Sequence, residues 1–413
     1  MAARPFLHST VALVGLLVIT RLAFLAVMPA TWSNDVDAWQ DVANELSKGH
    51  NPYVTTDHLH WPPLWPALIW LLSALEKMTG ASFVHCLQAF LIAVDAVNLV
   101  LVKKLVERAG PTALARRAML FGLVLNPISI LLTMQHGNFD ALVATWLLLF
   151  IGALWSYQGS GTSGKWLLAC FFLGMGVFTK TIPLLLAPLL LIGLPRRSIK
   201  TDLLGLFLFT TPTLLGLLCL WMADPDSVLH DIVGYRSYAG WFGITGLLQL
   251  ANANGASHLY ERAGPFIISG LMAWAAWRIQ RRAITTPTAA LRLMLVLLLG
   301  LVAFGPGYSP QYIGWLLPML VLLFASAERK ERWILATAFL ICIATYVAEY
   351  ALIGSHGAFL LHWTDNATMV HWQEQLAQPG SQTMLRLPLF LAYIGVLNFI
   401  SLPLRSTPSD VMR

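Results

Sequence analysis

The chain has 413 residues, of which 57% are hydrophobic and only 11% charged, and a formal net charge of +6. A soluble domain carries about 25% charged residues, so a water-soluble globule is excluded and repeated apolar runs of ~20 residues mark a polytopic membrane protein. The positive charge sits mostly in short loops, where Lys and Arg report topology rather than nucleic-acid binding.

The first apolar run is predicted over residues 6–28. Arg4 precedes it, as in a signal peptide, but Arg21 interrupts it and an acidic segment follows, so a retained anchor is expected. Residues 29–62 form the first long polar loop, with Asp35, Asp37, Asp41, Glu45 and Asp57. Within it, residues 38–47 are expected to form an amphipathic helix, because Trp39, Val42, Ala43 and Leu46 recur at i, i+3, i+4 and i+7. Gly49 stops that helix and Asn51-Pro52-Tyr53 turns the chain. Trp61-Pro62-Pro63-Leu64 opens the next run, with prolines in a first turn where a missing N–H costs nothing.

Apolar runs follow at 61–78, 83–106, 119–133 and 141–157. Residues 166–194 make one run broken near Lys180-Thr181-Ile182-Pro183, either a tight hairpin or a broken helix. Later runs are 203–222, 265–277, 291–304, 313–325, 333–353 and 385–404. Two more long polar loops are expected, 224–262 and 354–383. The whole is read as one all-α transmembrane domain, residues 1–413, with eleven to thirteen spans and no repeat of 20–50 residues. Cys86, Cys170, Cys219 and Cys342 lie in apolar runs and are expected to be packing residues.

Basic loops mark the cytoplasmic side. From Arg116 onward the chain alternates well. Loops at His136, Asp224, Tyr308 and His362 fall outside, and Arg196, Arg281, Arg329 and Arg405 inside. One parity conflict remains upstream. Two crossings between Trp61 and Val106 would put Lys103-Lys104 outside, so either the Pro62-led segment does not cross, or one basic loop breaks the rule and 166–194 crosses once.

Ionisable residues inside spans are costly and default to pairing or function. Arg21, Asp95, Lys180 and Glu349 qualify, and Arg21 and Asp95 are expected to pair. Lys180, at a helix break with backbone N–H groups nearby, is suited to hold a phosphate; the plainer alternative is a snorkelling side chain. Asp35 and Asp37 stand in a D-x-D spacing just past the first span. A carboxylate there can take a proton from a hydroxyl, the pair can bind a divalent cation, or Asn34 or Asp35 can simply cap the next helix. His136, Asn138 and Asp140 make a compact polar break that reads as a wall of a site, or as a capped turn. Tyr308, Gln311 and Tyr312, with Tyr53, are candidates for the same wall, or for interfacial belt residues. His58, His60, His356, His362 and His371 show no metal-ligand spacing.

These motifs, in this order, resemble the GT-C superfamily of membrane glycosyltransferases. The resemblance rests on Asn34-Asp35-Val36-Asp37, Gly49-His50-Asn51-Pro52-Tyr53, Trp61-Pro62-Pro63-Leu64, Asp95 and Asn126-Pro127. It continues through Gly137-Asn138-Phe139-Asp140, Phe178-Thr179-Lys180 with Pro183, and Ser309-Pro310-Gln311-Tyr312-Ile313-Gly314-Trp315, and so covers residues 34 to about 318. The likeness is greatest to bacterial polyprenyl-phosphate-mannose mannosyltransferases and GPI mannosyltransferases. Asn34 stands where a D-x-D beginning one residue earlier would have Asp, and Phe139-Asp140 replaces an Ala-Glu pair.

The resemblance implies an inverting transfer of a hexose, mannose above all, from a polyprenyl-phosphate donor to a lipid, glycan or protein acceptor. It implies a catalytic Asp at Asp35, with Asp37 as second choice, in a multi-pass protein of the bacterial inner membrane whose active site faces outward. A sugar phosphate has a good leaving group, so the site needs one carboxylate base and cations for the departing phosphate. Lys180, with Arg236 or Arg262, is expected to supply the cations, and no metal cofactor is favoured. A transporter or lipid-linked-sugar flippase is the rival reading; it predicts inverted repeats and charges in broken mid-membrane helices.

Overall fold

The computed structural model describes residues 9–27, 33–110, 112–193, 197–235, 243–281, 284–307, 310–347, 371, 375 and 379–401. They are helical, with no strand among them. Helix α1 (Thr10–Val27) is followed by α2 (Asn34–Ser47), the single turn α3 (Pro52–Thr55), α4 (Leu64–Thr79) and α5 (Phe83–Ala109). A broken traverse comes next: α6 (Ala113–Met119), a π-helical turn (Leu120–Val124) and α7 (Pro127–Met134). Then come α8 (Asp140–Ser160), α9 (Ser163–Thr179) and a 3-10 segment (Ile182–Leu191). α10 (Ile199–Ala223), the turn α11 (Pro225–Ser227), a second π turn (Val228–Val233) and α12 (Gly243–Leu250) lead to α13 (Asn254–Arg281). The last helices are α14 (Pro287–Phe304), α15 (Ile313–Ser326), α16 (Arg329–Val347) and α17 (Pro379–Ser401).

Local sequence sets the helix ends. Ser82, Thr112, Ser198 and Thr286 each cap a helix by accepting from the N–H three residues on. Gly80 and Gly161 end α4 and α8 with left-handed backbone, which glycine adopts without a Cβ clash.

Cross-contacts fix which end of each helix lies where. Gln88, near the start of α5, donates to the Met134 carbonyl at 2.9 Å, at the end of α7. At the far end of α5, Arg108 reaches Ser156 Oγ at 2.6 Å, near the end of α8. The bundle thus has a site end, where α7 finishes and α8 begins, and an opposite end. The 3-10 segment returns from the first to the second: Trp166 Nε1 donates to the Leu190 carbonyl at 3.4 Å and Tyr157 to the Gly193 carbonyl at 3.3 Å. Residues 163–191 are therefore a hairpin that crosses twice, its turn made by Lys180 and Pro183.

α4 does not cross. At its start Trp65 stacks on Phe139, next to the first residue of α8. At its finish Glu76 accepts from the Phe83 N–H, at the first residue of α5. Both ends lie at the site end. Its exposed stripe of Trp70, Leu71, Leu75 and Met78 suits a helix lying in the membrane interface. This removes the parity conflict, since Lys103 and Lys104 come at the far end of α5 with Arg108. With α4 left out, α6–α7 taken as one crossing and the 3-10 segment as another, the described residues make twelve traverses. Among the described residues, four helical stretches are long and apolar enough to cross a membrane by length and composition: Ala113–Met134, Asp140–Ser160, Ile199–Ala223 and Pro287–Phe304.

Two other expectations shift. The amphipathic helix begins at Asn34 rather than residue 38, so Asp35 and Asp37 are helical. The 224–262 stretch is not one loop, because α11, α12 and the first two turns of α13 lie in it. The 354–383 loop lies largely outside the described residues.

The main core runs through α5, α8, α9, α14 and α15. A second, smaller core lies under the first polar segment, where Trp39, Trp65, Phe83 and Phe139 are buried together. Arg21 and Asp95 pair inside the bundle at 3.1 Å. Arg21 also donates to the Leu123 carbonyl at 3.0 Å and to the Val124 carbonyl. Leu123 and Val124 stand at the end of the π turn, where carbonyls lack an intrahelical donor, and the guanidinium supplies one.

Candidate active site

The site begins at the first residue of α2. Ser33 is the N-cap: its Oγ accepts from the Val36 N–H at 3.0 Å and donates to the His136 carbonyl at 2.6 Å. One side chain therefore starts the helix and ties it to the turn between α7 and α8. That turn needs Gly137, whose φ is +61° and where a Cβ would meet Val36 Cγ2 at 2.5 Å. The cap is neither Asn34 nor Asp35, which leaves the Asp35 carboxylate for other work.

Asp35 receives two donors on one oxygen. Asn138 Nδ2 lies 2.6 Å and His136 Nε2 3.0 Å from Oδ2. Among the described residues no hydrogen bond falls on Oδ1, and the side chain is 29% exposed. Burial alone would raise the Asp35 pKa, but His136, the Asn138 amide and the charge of Lys180 outweigh it and hold the carboxyl below its usual 3.8. Asp35 is thus ionised at neutral pH, with one oxygen open. Asp37 is exposed, and two residues along a helix it points away from Asp35.

Asn138 also joins the site to the next helix, because its Oδ1 accepts from the Asp140 N–H at 2.8 Å. Asp140, the first residue of α8, is fully buried, and its Oδ1 lies 2.6 Å from the Lys180 ammonium, itself 2% exposed. Asp140 Oδ2 is buried without a hydrogen bond. Four rings surround the ammonium, with centroids at 4.6 Å (Trp61), 4.8 Å (Tyr312), 5.1 Å (Trp315) and 5.2 Å (Phe139). Lys180 caps α9 with extended backbone, so the helix break aims the side chain into this cage rather than along the helix.

Six of the residues singled out in the sequence meet here: Asp35, His136, Asn138, Asp140, Lys180 and Tyr312. Tyr53 acts one step back, its hydroxyl donating to the Trp61 carbonyl at 2.6 Å, and burial followed by the nearby Asp231 charge pushes its pKa up. Gln311 is half-buried beside Tyr312. Arg262 is exposed on α13. Arg236 and Tyr308 lie outside the described residues. Sequence reading missed Ser33, Trp61 and Trp315 as site residues, and also Tyr346, buried on α16 where both Asp35 and Asp140 act on it electrostatically. Ser33 was legible as a cap candidate; nothing local in α16 marks Tyr346.

No protein-family profile matches the chain, and no curated protein matches it in sequence. Its fold matches solved structures. ArnT from Cupriavidus metallidurans bound to undecaprenyl phosphate superposes with a TM-score of 0.54 at 13% identity, over 94% of this chain and 76% of ArnT. ArnT from Cupriavidus metallidurans in the apo state gives a TM-score of 0.53 at 12% identity, with the same coverage. The chain therefore has the fold of ArnT.

Proposed function

We propose that the chain is an inverting glycosyltransferase that moves a hexose, with mannose the preferred candidate, from a polyprenyl-phosphate donor to an acceptor hydroxyl. The observation that carries this reading is the Asp35 carboxylate, ionised, fixed through Oδ2 by two donors and open at Oδ1. The donor class is supported by the fold, since ArnT of the same fold is bound to undecaprenyl phosphate.

Asp35 Oδ1 takes the proton of the acceptor hydroxyl as its oxygen attacks the anomeric carbon. The bond from that carbon to the phosphate oxygen breaks on the opposite side, so the configuration inverts and polyprenyl phosphate leaves. Lys180 faces the charge that builds on the phosphate, in surroundings where screening is weak. The proton on Asp35 then passes to water. A monophosphate leaves without a general acid, and Asp35 and Asp37, on different sides of α2, do not form a joint cation clamp. The basic ends of α5, α13 and α16 lie opposite the site, which supports a site on the external face under the positive-inside rule; the membrane proposed is a bacterial inner membrane.

The test is transfer of labelled sugar from synthetic polyprenyl-phosphate donors by the purified chain, with Asp35→Asn alongside. Transfer that Asp35→Asn leaves near its native rate would end this reading.

A further inference from the structure

We propose that the acceptor is a saccharide, seated on an aromatic strip that His60, Tyr235 and Trp61 form beside the base. The proposal rests on the glycosyl-transfer reading above and names the acceptor that reading leaves open.

Two segments far apart in the chain build the strip. The His60 and Tyr235 rings stack at 4.4 Å and 12°, and Tyr235 meets Trp61 edge-on at 5.2 Å and 71°. The two segments meet: His60 lies close enough to Asp231 to be acted on by its charge, and Ser227 Oγ, bonded to Asp224, lies 3.4 Å from the Tyr53 carbonyl. All three rings are half-buried, so the cluster is neither sealed core nor a bare lipid-facing patch. Trp61 belongs to it and to the Lys180 cage at once. The strip therefore starts where the donor phosphate would sit.

Carboxylates border the rings. Asp231 and Asp57 both act on His60 electrostatically, and Asp57 is exposed. Burial nonetheless pushes the His60 pKa down, so the imidazole is neutral at pH 7. Its Nδ1 carries no hydrogen bond. Flat neutral rings rimmed by carboxylates suit one ligand chemistry. A pyranose presents a face of C–H bonds that packs on an aromatic ring, and a rim of hydroxyls that carboxylates accept in charge-assisted bonds. An anionic phospholipid headgroup is repelled by the acidic rim, and an acyl chain gains nothing from it.

The experiment uses the full chain in nanodiscs, with mannotriose and cellotriose as saccharide probes and a serine hexapeptide and a monoacylglycerol as the other hydroxyl acceptors. Binding is read by saturation-transfer NMR, and transfer from a polyprenyl-phosphate-mannose donor by product mass. Donor hydrolysis to free sugar is followed in parallel. One saccharide should bind and be glycosylated. Tyr235→Ala should raise its KM by about tenfold with a smaller change in kcat, while Tyr235→Phe, which keeps the ring, should restore the KM. Asp57→Asn should weaken binding in the same direction. Saccharide binding that Tyr235→Ala leaves intact would overturn the proposal. So would transfer to the peptide or the monoacylglycerol with neither saccharide accepted. Donor hydrolysis without saccharide binding sinks the subsite and keeps the transferase reading. Saccharide binding that needs Tyr235, with no donor turned over, keeps the subsite and sinks the transferase reading.

Discussion

Lys180 and Asp140 are buried as a pair, ammonium to Oδ1 at 2.6 Å, inside a ring of four aromatic side chains. Removing one partner of a buried pair strands the other charge, which costs about 3–5 kcal/mol. Lys180→Ala should therefore lower the thermal midpoint in detergent as well as donor use. The double variant Lys180→Ala/Asp140→Ala should regain much of the stability and none of the donor use. A charge-assisted bond to phosphate is worth about 1.5–3 kcal/mol, or roughly ten- to a hundredfold in donor KM. A double variant with native donor KM would remove Lys180 from the donor site.

Asp35→Asn keeps the shape of the side chain and loses the proton acceptor. The variant should fold and bind donor, with transfer slowed by about 10²–10⁴-fold. Single-turnover rates beside donor-binding isotherms separate these effects.

The acid limb of the pH–rate profile follows from the donors on Asp35. Its folded pKa lies below 3.8, so the base is charged from neutral pH down to that range. Stability from the depressed pKa is present above the unfolded value and is lost as pH falls through the folded one. Asn138→Ala and His136→Ala each remove a group that lowers this pKa, so the acid limb of kcat/KM should move to higher pH in both. An unmoved limb would mean that Asp35 is not the group titrating.

Asp37→Asn should change transfer by less than Asp35→Asn, because its carboxylate points away from Asp35 along α2. EDTA should leave the native rate unchanged. Loss of activity in EDTA with rescue by Mg²⁺ or Mn²⁺ would require a cation site that this helix geometry does not offer.

Single cysteines in a cysteine-free background test the arrangement of α4. Positions 37, 80 and 226 should label from one side of the membrane, and 104 and 278 from the other. Labelling of position 80 with the second group would restore α4 as a crossing.

Much of this was legible in the residues. The cluster of Asp35, His136, Asn138, Asp140 and Lys180 was visible because each is a polar residue where apolar spans break, and helix breaks gather at one end of a bundle. The reach of α2 was misjudged because residues 34–37 carry little apolar signal; Ser33 starts the helix through a cap bond, which no hydrophobic period reports. The sequence leaves α4 open between a crossing and a segment that does not cross, because an interfacial helix has nearly the composition of a spanning one. Only the positions of its two ends tell them apart. Tyr346 was out of reach because it touches the site through tertiary packing alone.

The Arg21 contacts have a consequence for synthesis. The first helix brings a guanidinium into the bilayer when Asp95 is still 74 residues away in sequence and the Leu123 and Val124 carbonyls more than 100. An unpaired Arg at the centre of a span costs about 2.5–3.5 kcal/mol on insertion. The nascent first helix is therefore a poor substrate for release into lipid until α5 emerges to neutralise it and α7 to complete its bonds. A chain truncated after α4 should integrate poorly in a translation–membrane assay, and Arg21→Leu should correct it. The full-length chain should integrate well with Arg21 in place.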